Sequence, residues 1–302
     1  HSPGRADRAD NREGTQRMTV LFDVIHGDED VSLDDAMTSQ AESCASLGSP
    51  LSHDLLLALR DASAPGGALA DVMVDRQTVR GGDLIPLRLL AAAHRLVLSR
   101  HAPRLAIHFP TVGGTAPTDD AGRAALGAAV VEALLANPGV VKTSLSRIPQ
   151  TNETGRALPL RGALARVAAA HSQPIRLHEL AASAGLNLRA DSMPWAHVPM
   201  NTPVTISERA GCDLRPLDVD RAEDRLTLAS YVWGDDLARF ERLRSAFVLA
   251  HRVPASMSAM SAGEYLTMLT HADPVPGTTL VIWHSATWFY LDRPARVEIR
   301  SA

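Results

Sequence analysis

Four short runs in this 302-residue chain carry side chains whose types and spacing could do chemistry. The first is His178-Glu179-Leu180-Ala181-Ala182-Ser183-Ala184-Gly185-Leu186-Asn187. It follows an apolar strand candidate and opens a helix candidate. Small residues at such a turn let the backbone approach a ligand, and a helix N-terminus favours negative charge. An acid followed by alternate glycines is the methyltransferase form of this turn. Here the acid is Glu179 and the alternate positions hold Ala181, Ser183 and Gly185. A tight turn with Ala and Ser packed closely would use the same residues. The second run is Gly211–Asp218, in which Asp213 closes a strand candidate. A carboxylate there can accept two hydrogen bonds from a ribose diol; it can equally cap a helix or end a turn. The third is Trp283-His284-Ser285 at the end of the last strand candidate, followed by Trp288, Phe289 and Tyr290. Ligands bind outside the carboxyl ends of parallel strands, where His284 could act as a base near neutral pH. The alternative is that His284 and the aromatics are packing residues. The fourth is Gln150-Thr151-Asn152-Glu153-Thr154-Gly155-Arg156, a dense polar run that could orient a polar substrate or cap a helix.

The elements that must position these groups divide the chain in two. Residues 51–62 place Leu51, Leu55, Leu56 and Leu59 on one helical stripe, and residues 84–100 are a stronger amphipathic helix with Pro86 in its first turn. Two aspartates open a helix over 119–136. Residues 108–120, with two prolines and Gly113-Gly114-Thr115, read as a loop; the glycine pair could bind an anion, or simply turn. Residues 154–171 form a further helix with a break expected at Pro159. No strand is expected before residue 174. From there strand candidates at 174–180, 202–214, 253–260 and 278–285 alternate with helices, which implies a mostly parallel sheet. The expected fold class is therefore α/β: a helical N-terminal half packed on a Rossmann-like, class I methyltransferase-like parallel sheet. The expected divisions are a partly disordered leader (1–40), a helical region (41–171) and the α/β domain (172–302). Four strands are few for a doubly wound sheet, so the domain is either reduced or continued beyond Ala302.

Composition narrows the classes. The chain is 45% hydrophobic and 21% charged with a net charge of -4 and a pI near 6.3. No basic run marks a nucleic-acid face. No apolar stretch approaches the roughly 18 residues of a membrane span. The first residues lack the apolar core of a signal peptide, which points to a cytoplasmic protein. Cys44 and Cys212 offer neither a disulfide framework nor a metal pattern, and the histidines, including the evenly spaced His94, His101 and His108, do not form a zinc motif. No metal site is expected.

Taken together and in order, ESCASLGSPL, FPTVGGTAP, QTNETGR, ELAASAGLNL, CDLRPLDV, the YVW…ARFERLRSA stretch and VIWHSATWFYL resemble the bacterial family of domain of unknown function 2332, over about residues 40–295. QTNETGR and ASAGLNL are the most distinctive. The resemblance implies a second half like a class I methyltransferase domain. On that basis the cofactor would be S-adenosylmethionine, bound by Glu179, Ala181, Ser183, Gly185, Asn187 and Asp213. Asn152, Glu153 and Arg156 would face a small-molecule substrate, and His284 would orient the nucleophile or take its proton. The chain departs from the family where Ala181 replaces a glycine, where Met260-Ser261-Ala262 replaces an acidic motif, and in a short 191–203 stretch. These departures keep two alternatives open: a non-catalytic protein that binds a nucleotide or metabolite, and another transferase or ligase chemistry on the same fold.

Overall fold

Leu51, Leu55, Leu56 and Leu59 recur at helical spacing, and all four are buried. They anchor the first of two cores. The computed structural model describes residues 30–196, 203–290 and 293–301. In chain order these form β1 (Asp30–Ser32), α1 (Leu33–Ser46), α2 (Pro50–Ser63), β2 (Thr78–Arg80), α3 (Ile85–Leu98), α4 (Pro103–Ala106), α5 (Asp120–Ala136), α6 (Pro138–Ser146) and α7 (Ala157–Ala170). Then follow β3 (Ile175–Glu179), β4 (Ile206–Asp213), α8 (Ala222–Ser230), α9 (Leu237–Arg252), β5 (Ser256–Ala259), α10 (Ala262–His271), β6 (Thr279–Trp283), α11 (Thr287–Tyr290) and α12 (Arg293–Ser301).

The local signals explain most boundaries. Ser32 accepts the Asp35 N–H and starts α1; Asp119 accepts the Gly122 N–H and starts α5. Three expectations change. Helix α1 begins inside the stretch expected to be a leader, because Leu33, Met37, Ala41 and Cys44 are buried on one face; residues 1–29 of that expected leader lie outside the described residues. Short strands β1 and β2 pair antiparallel ahead of residue 174; three residues each are too few to show a period. Helix α7 runs through Pro159, which is its third residue, where a missing N–H breaks no intrahelical bond.

Four strands form a wholly parallel sheet in the order β5-β4-β3-β6. The chain lays down three strands in one direction and then crosses back to the other side of the first. This is the doubly wound pattern, with its switch point between β3 and β6. The expected α/β architecture, a helical half packed on a parallel sheet, is what the chain adopts. Both faces of the sheet are covered. Ile175 and Leu177 join a core with Leu160 and Leu164 of α7 and Leu243 and Ala246 of α9. Cys212 packs on the opposite face with Tyr265 and Leu269 of α10. Helix α7, which precedes the expected boundary at 171, thus shares the core of the sheet.

The helical half has its own core, running from Leu33 to Leu145. It docks on the α/β half through the turn after α8. Asp235 caps α2 by accepting the Ser49 hydroxyl and the Leu51 N–H (2.9 Å). Gly234 accepts the Thr111 N–H at 3.0 Å. A Cβ at Gly234 would stand 2.3 Å from the Phe109 ring and 3.1 Å from Leu51, so the close approach of the halves requires glycine. Among the described residues, no single helix is long and apolar enough to cross a membrane.

This contact yields a prediction. Gly234→Ala should destabilise the protein by about 1–3 kcal/mol through overpacking, seen as a lower midpoint in thermal melting. An unchanged midpoint would mean that the Phe109 contact does not join the halves.

Candidate functional site

The candidate site lies at the C-terminal edge of the sheet, where β3 ends at Glu179. The loop beyond it stays stitched to both neighbouring strands. The Leu180 N–H donates to Trp283 at 3.0 Å and the Ala182 N–H to Cys212 at 2.8 Å. Three alternate residues of the loop are left-handed: Ala181 at φ 50°, Ser183 at φ 57° and Gly185 at φ 64°. These are the positions that alternate glycines would fill. Only Gly185 adopts the conformation freely; Ala181 and Ser183 each carry a penalty of roughly 1–2 kcal/mol. Gly185 is needed for packing as well, since a Cβ there would lie 2.7 Å from the Met257 sulfur. The glycine thus also leaves room for an internal contact with Met257.

The helix expected after this loop does not form. Leu186–Ser192 is a 3-10 run with a kink at Arg189 (φ -103°, ψ 18°). Arg189 is buried and donates to the carbonyls of Gly185 (2.6 Å) and Val253 (2.8 Å). Burial lowers its pKa to about 10. The loop therefore does not lead directly into an α-helix N-terminus, the feature on which the anion-binding reading of that turn rested.

Asp213, at the end of β4, clasps the loop. Its Oδ2 accepts the Ser183 N–H (2.9 Å) and its Oδ1 accepts the Arg215 N–H (2.9 Å). Gln150 completes the clasp. Its Oε1 accepts the Ser183 hydroxyl, and its Nε2 lies 3.5 Å from Asp213 Oδ1. The polar run 150–156 lies across the same edge. Asn152 Oδ1 accepts the Leu186 N–H at 3.2 Å, and Asn187 Nδ2 donates to the Glu153 carbonyl at 3.2 Å. The Glu153 carboxylate accepts the Gly155 N–H (2.7 Å) and is ion-paired with Arg239 of α9. Arg156 Nη1 donates to the Ser285 carbonyl and hydroxyl at 3.3 and 3.2 Å.

The structure therefore brings Asn152, Glu153, Arg156, Ser183, Gly185, Asn187 and Asp213 into one polar assembly. Asn152 and Glu153 are engaged in holding it. His284 stands apart: it is exposed just past β6, and its neighbour Ser285 is the residue that Arg156 touches. Trp288 lies under the Arg300 guanidinium, 4.9 Å from ring centre to charge; the side chains of Phe289 and Tyr290 lie outside the described residues, as do residues 197–202 of the short 191–203 stretch. Ser261 and Glu264 form a reciprocal helix cap on α10, which accounts for the Met260-Ser261-Ala262 departure. The N–H groups of Gly113, Gly114 and Thr115 all donate to nearby carbonyls, so that loop is a turn and not an anion nest.

Glu179 is the anomalous group. It is buried, and its Oε2 has no hydrogen-bond partner among the described residues. It pairs in register with Trp283 on β6, whose buried indole N–H has no well-formed hydrogen bond among the described residues but lies close enough to favour the Glu179 carboxylate. Burial pushes the Glu179 carboxyl up to about 8, against the opposing pull of Trp283, Arg156 and Arg189. At neutral pH it therefore keeps its proton and can donate a hydrogen bond.

A cavity of about 100 Å³ opens on the other side of the 150–156 segment. It lies between the two halves, with Thr151, Arg156, Arg239, His94, Tyr231 and Trp233 among its walls. His94 is buried, with its ring nitrogens bonded to the Val232 carbonyl (2.7 Å) and the Thr111 hydroxyl (2.9 Å). Burial lowers its pKa to about 4, so it is neutral at pH 7. Cys44 and Cys212 are buried, unpaired thiols pushed up by burial to about 12 and 11. Among the described residues, no three His, Cys, Asp or Glu side chains converge on a metal position.

The sequence names Gln150, Trp283 and Ser285 as members of its chemical runs but assigns them no role, and it gives no signal for Arg239, whose partner Glu153 is remote in sequence.

The family model described as an uncharacterized protein conserved in bacteria, domain of unknown function 2332, matches residues 34–197 and 192–302. The chain belongs to that family. No curated protein and no solved structure matches it.

The state of Glu179 sets a pH dependence. The native chain holds a proton that the unfolded chain releases above its ordinary pKa of 4.5, so this group's contribution to stability falls as pH rises from 4.5 to about 8. Glu179→Gln, neutral at every pH, should flatten that decline in melting temperature. A variant that loses stability over this range as steeply as the parent would show that Glu179 is ionised in the native state.

Proposed function

We propose that this family member is a methyltransferase of the class I kind, taking S-adenosylmethionine and acting on a small molecule. One observation carries the reading: the loop after the first of four parallel strands has left-handed residues at Ala181, Ser183 and Gly185, and an acid at the end of the second strand holds it. A strained backbone kept at the switch point of a doubly wound sheet is the kind of outlier from which function is inferred. S-adenosylmethionine, when bound, supplies an electrophilic methyl group. The remaining work is positioning, which few dedicated side chains can do.

The residues present fit such a cofactor on one condition. A carboxylate has about four acceptor positions, so Asp213 retains acceptor capacity on Oδ2 beyond the Ser183 N–H. The Gln150 amide, however, makes the two kinds of contact a diol would make, accepting from Ser183 and approaching Asp213. Gln150 must move aside for a nucleoside to enter. Glu179, Ala181, Ser183, Gly185 and Asn187 then form the cofactor loop, Asp213 takes the ribose, and Arg156 orients the substrate. His284, exposed beyond β6, takes the proton that a substrate nucleophile releases. A cytoplasmic setting belongs to the same proposal and agrees with two unpaired thiols.

A second reading has an observation of its own. Asp213, Ser183 and Gln150 already satisfy one another, which suits a protein that keeps the scaffold and binds a metabolite without transferring a methyl group.

Calorimetric titration with S-adenosylhomocysteine separates the two. The parent protein should bind with a Kd on the order of micromolar. Gln150→Ala should bind several-fold tighter. Asp213→Ala should bind at least about tenfold more weakly, the worth of a hydrogen bond to a charged group. No binding by the parent or by Gln150→Ala would refute methyl transfer and leave the second reading.

A further inference from the structure

The cavity between the halves has a charge pattern that selects its occupant. Arg156 and Arg239 are among its lining residues. Arg239 is neutralised by its ion pair with Glu153 and lies against Trp233, 6.0 Å from the ring centre. Arg156 forms no ion pair among the described residues, since the carboxyl it acts on, that of Glu179, is kept protonated by burial, and its protein hydrogen bonds there run from Nη1 to Ser285. A guanidinium carries five donors in a planar fork. Most of those on Arg156 are unused, although the group is only partly exposed. His94 adds no positive charge, since both its ring nitrogens are engaged within the protein. The cavity thus offers one uncompensated cation. Its remaining surface is largely apolar, with Leu55, Leu90, Phe109 and Val232 beside the Thr151 hydroxyl.

We propose that this cavity binds a small monocarboxylate with a short apolar tail, its carboxylate on Arg156 and its tail between the helical half and the Tyr231–Gly234 turn. The single free cation selects a monoanion over a phosphate dianion, and the planar fork suits a carboxylate. A cavity of about 100 Å³ is smaller than the ~150 Å³ that admits benzene, which limits the enclosed part of the ligand to roughly four to six heavy atoms. As the identity of a methyl acceptor, the acid rests on the methyl-transfer reading; as a ligand of Arg156, it stands on the cavity alone. Arg156 also touches Ser285 at the end of β6, so the acid would sit one side chain away from the strand ends.

Titration of the full-length protein with butyrate, butyramide and inorganic phosphate tests the site, with S-adenosylhomocysteine titrated separately. Butyrate should bind with a Kd of about 1 mM or tighter, and butyramide at least tenfold more weakly. Arg156→Gln should abolish the preference for the acid, and Arg156→Lys should retain part of it. Leu90→Phe, which fills the apolar part, should weaken both butyrate and butyramide. Equal binding of acid and amide, tighter binding of phosphate, or a butyrate affinity unchanged in Arg156→Gln would overturn the proposal. Butyrate binding without S-adenosylhomocysteine binding would uphold the carboxylate site while refuting methyl transfer. The reverse result would remove this site and leave methyl transfer standing.

Discussion

The hydrogen bond from the Ser183 N–H to Asp213 holds the edge of the sheet in its observed form. A chain leaving β3 has to turn within a few residues, and it does so here through three left-handed positions. Two of these belong to residues with a Cβ, which would relax toward ordinary conformations if nothing restrained them. The restraint comes from the neighbouring strands. Asp213 at the end of β4 takes one N–H of the loop, the Cys212 carbonyl takes another, and the Trp283 carbonyl of β6 takes a third. The order β5-β4-β3-β6 makes this possible, because it places both neighbours beside the strand whose loop is strained.

The segment 150–156 extends that restraint to the helical half. On one side Gln150, Asn152 and Glu153 bind the loop and the 3-10 run after it. On the other, Thr151 and Arg156 line the cavity between the halves, and Glu153 pairs with Arg239 there. One polar strap therefore touches both places where a ligand could bind. The segment joins the two places by covalent continuity and a handful of hydrogen bonds.

Much of this was legible in the sequence, for reasons that can be named. Of the four strands of the sheet, the first and last were legible as apolar or β-branched runs and the second by its alternation, while the third left only a faint pattern. Asp213 and Glu179 could be placed at strand ends because each closes such a run. The polar density of 150–156 marked it as substrate-orienting or helix-capping; its residues bond the loop after β3 and the 3-10 run that follows. What stayed hidden depends on contacts remote in sequence. The helix expected after Gly185 fails because Arg189 turns inward to satisfy two carbonyls, and no local pattern announces a buried arginine. Gly234 reads as an ordinary turn residue, yet Phe109 dictates it. The cavity arises where α1, α2 and α3 meet the turn after α8, the start of α9 and the strap, so it has no signature along the chain.

Alanine and serine, rather than glycine, occupy two of the left-handed positions of the loop, which changes what the strain accomplishes. With three glycines the left-handed turns would be nearly free. With Ala181 and Ser183 in those positions each turn carries a penalty, which the contacts of Asp213 and Gln150 offset. The Ser183 hydroxyl is itself part of the compensation, since it donates to Gln150, a contact glycine could not make. The residue that strains the backbone thus supplies the group that helps hold it. A ligand entering at Asp213 would therefore have to replace the contacts of Gln150 in kind, donating to the carboxylate and satisfying the serine. That demand favours a molecule with adjacent hydroxyl groups over one with a single polar atom.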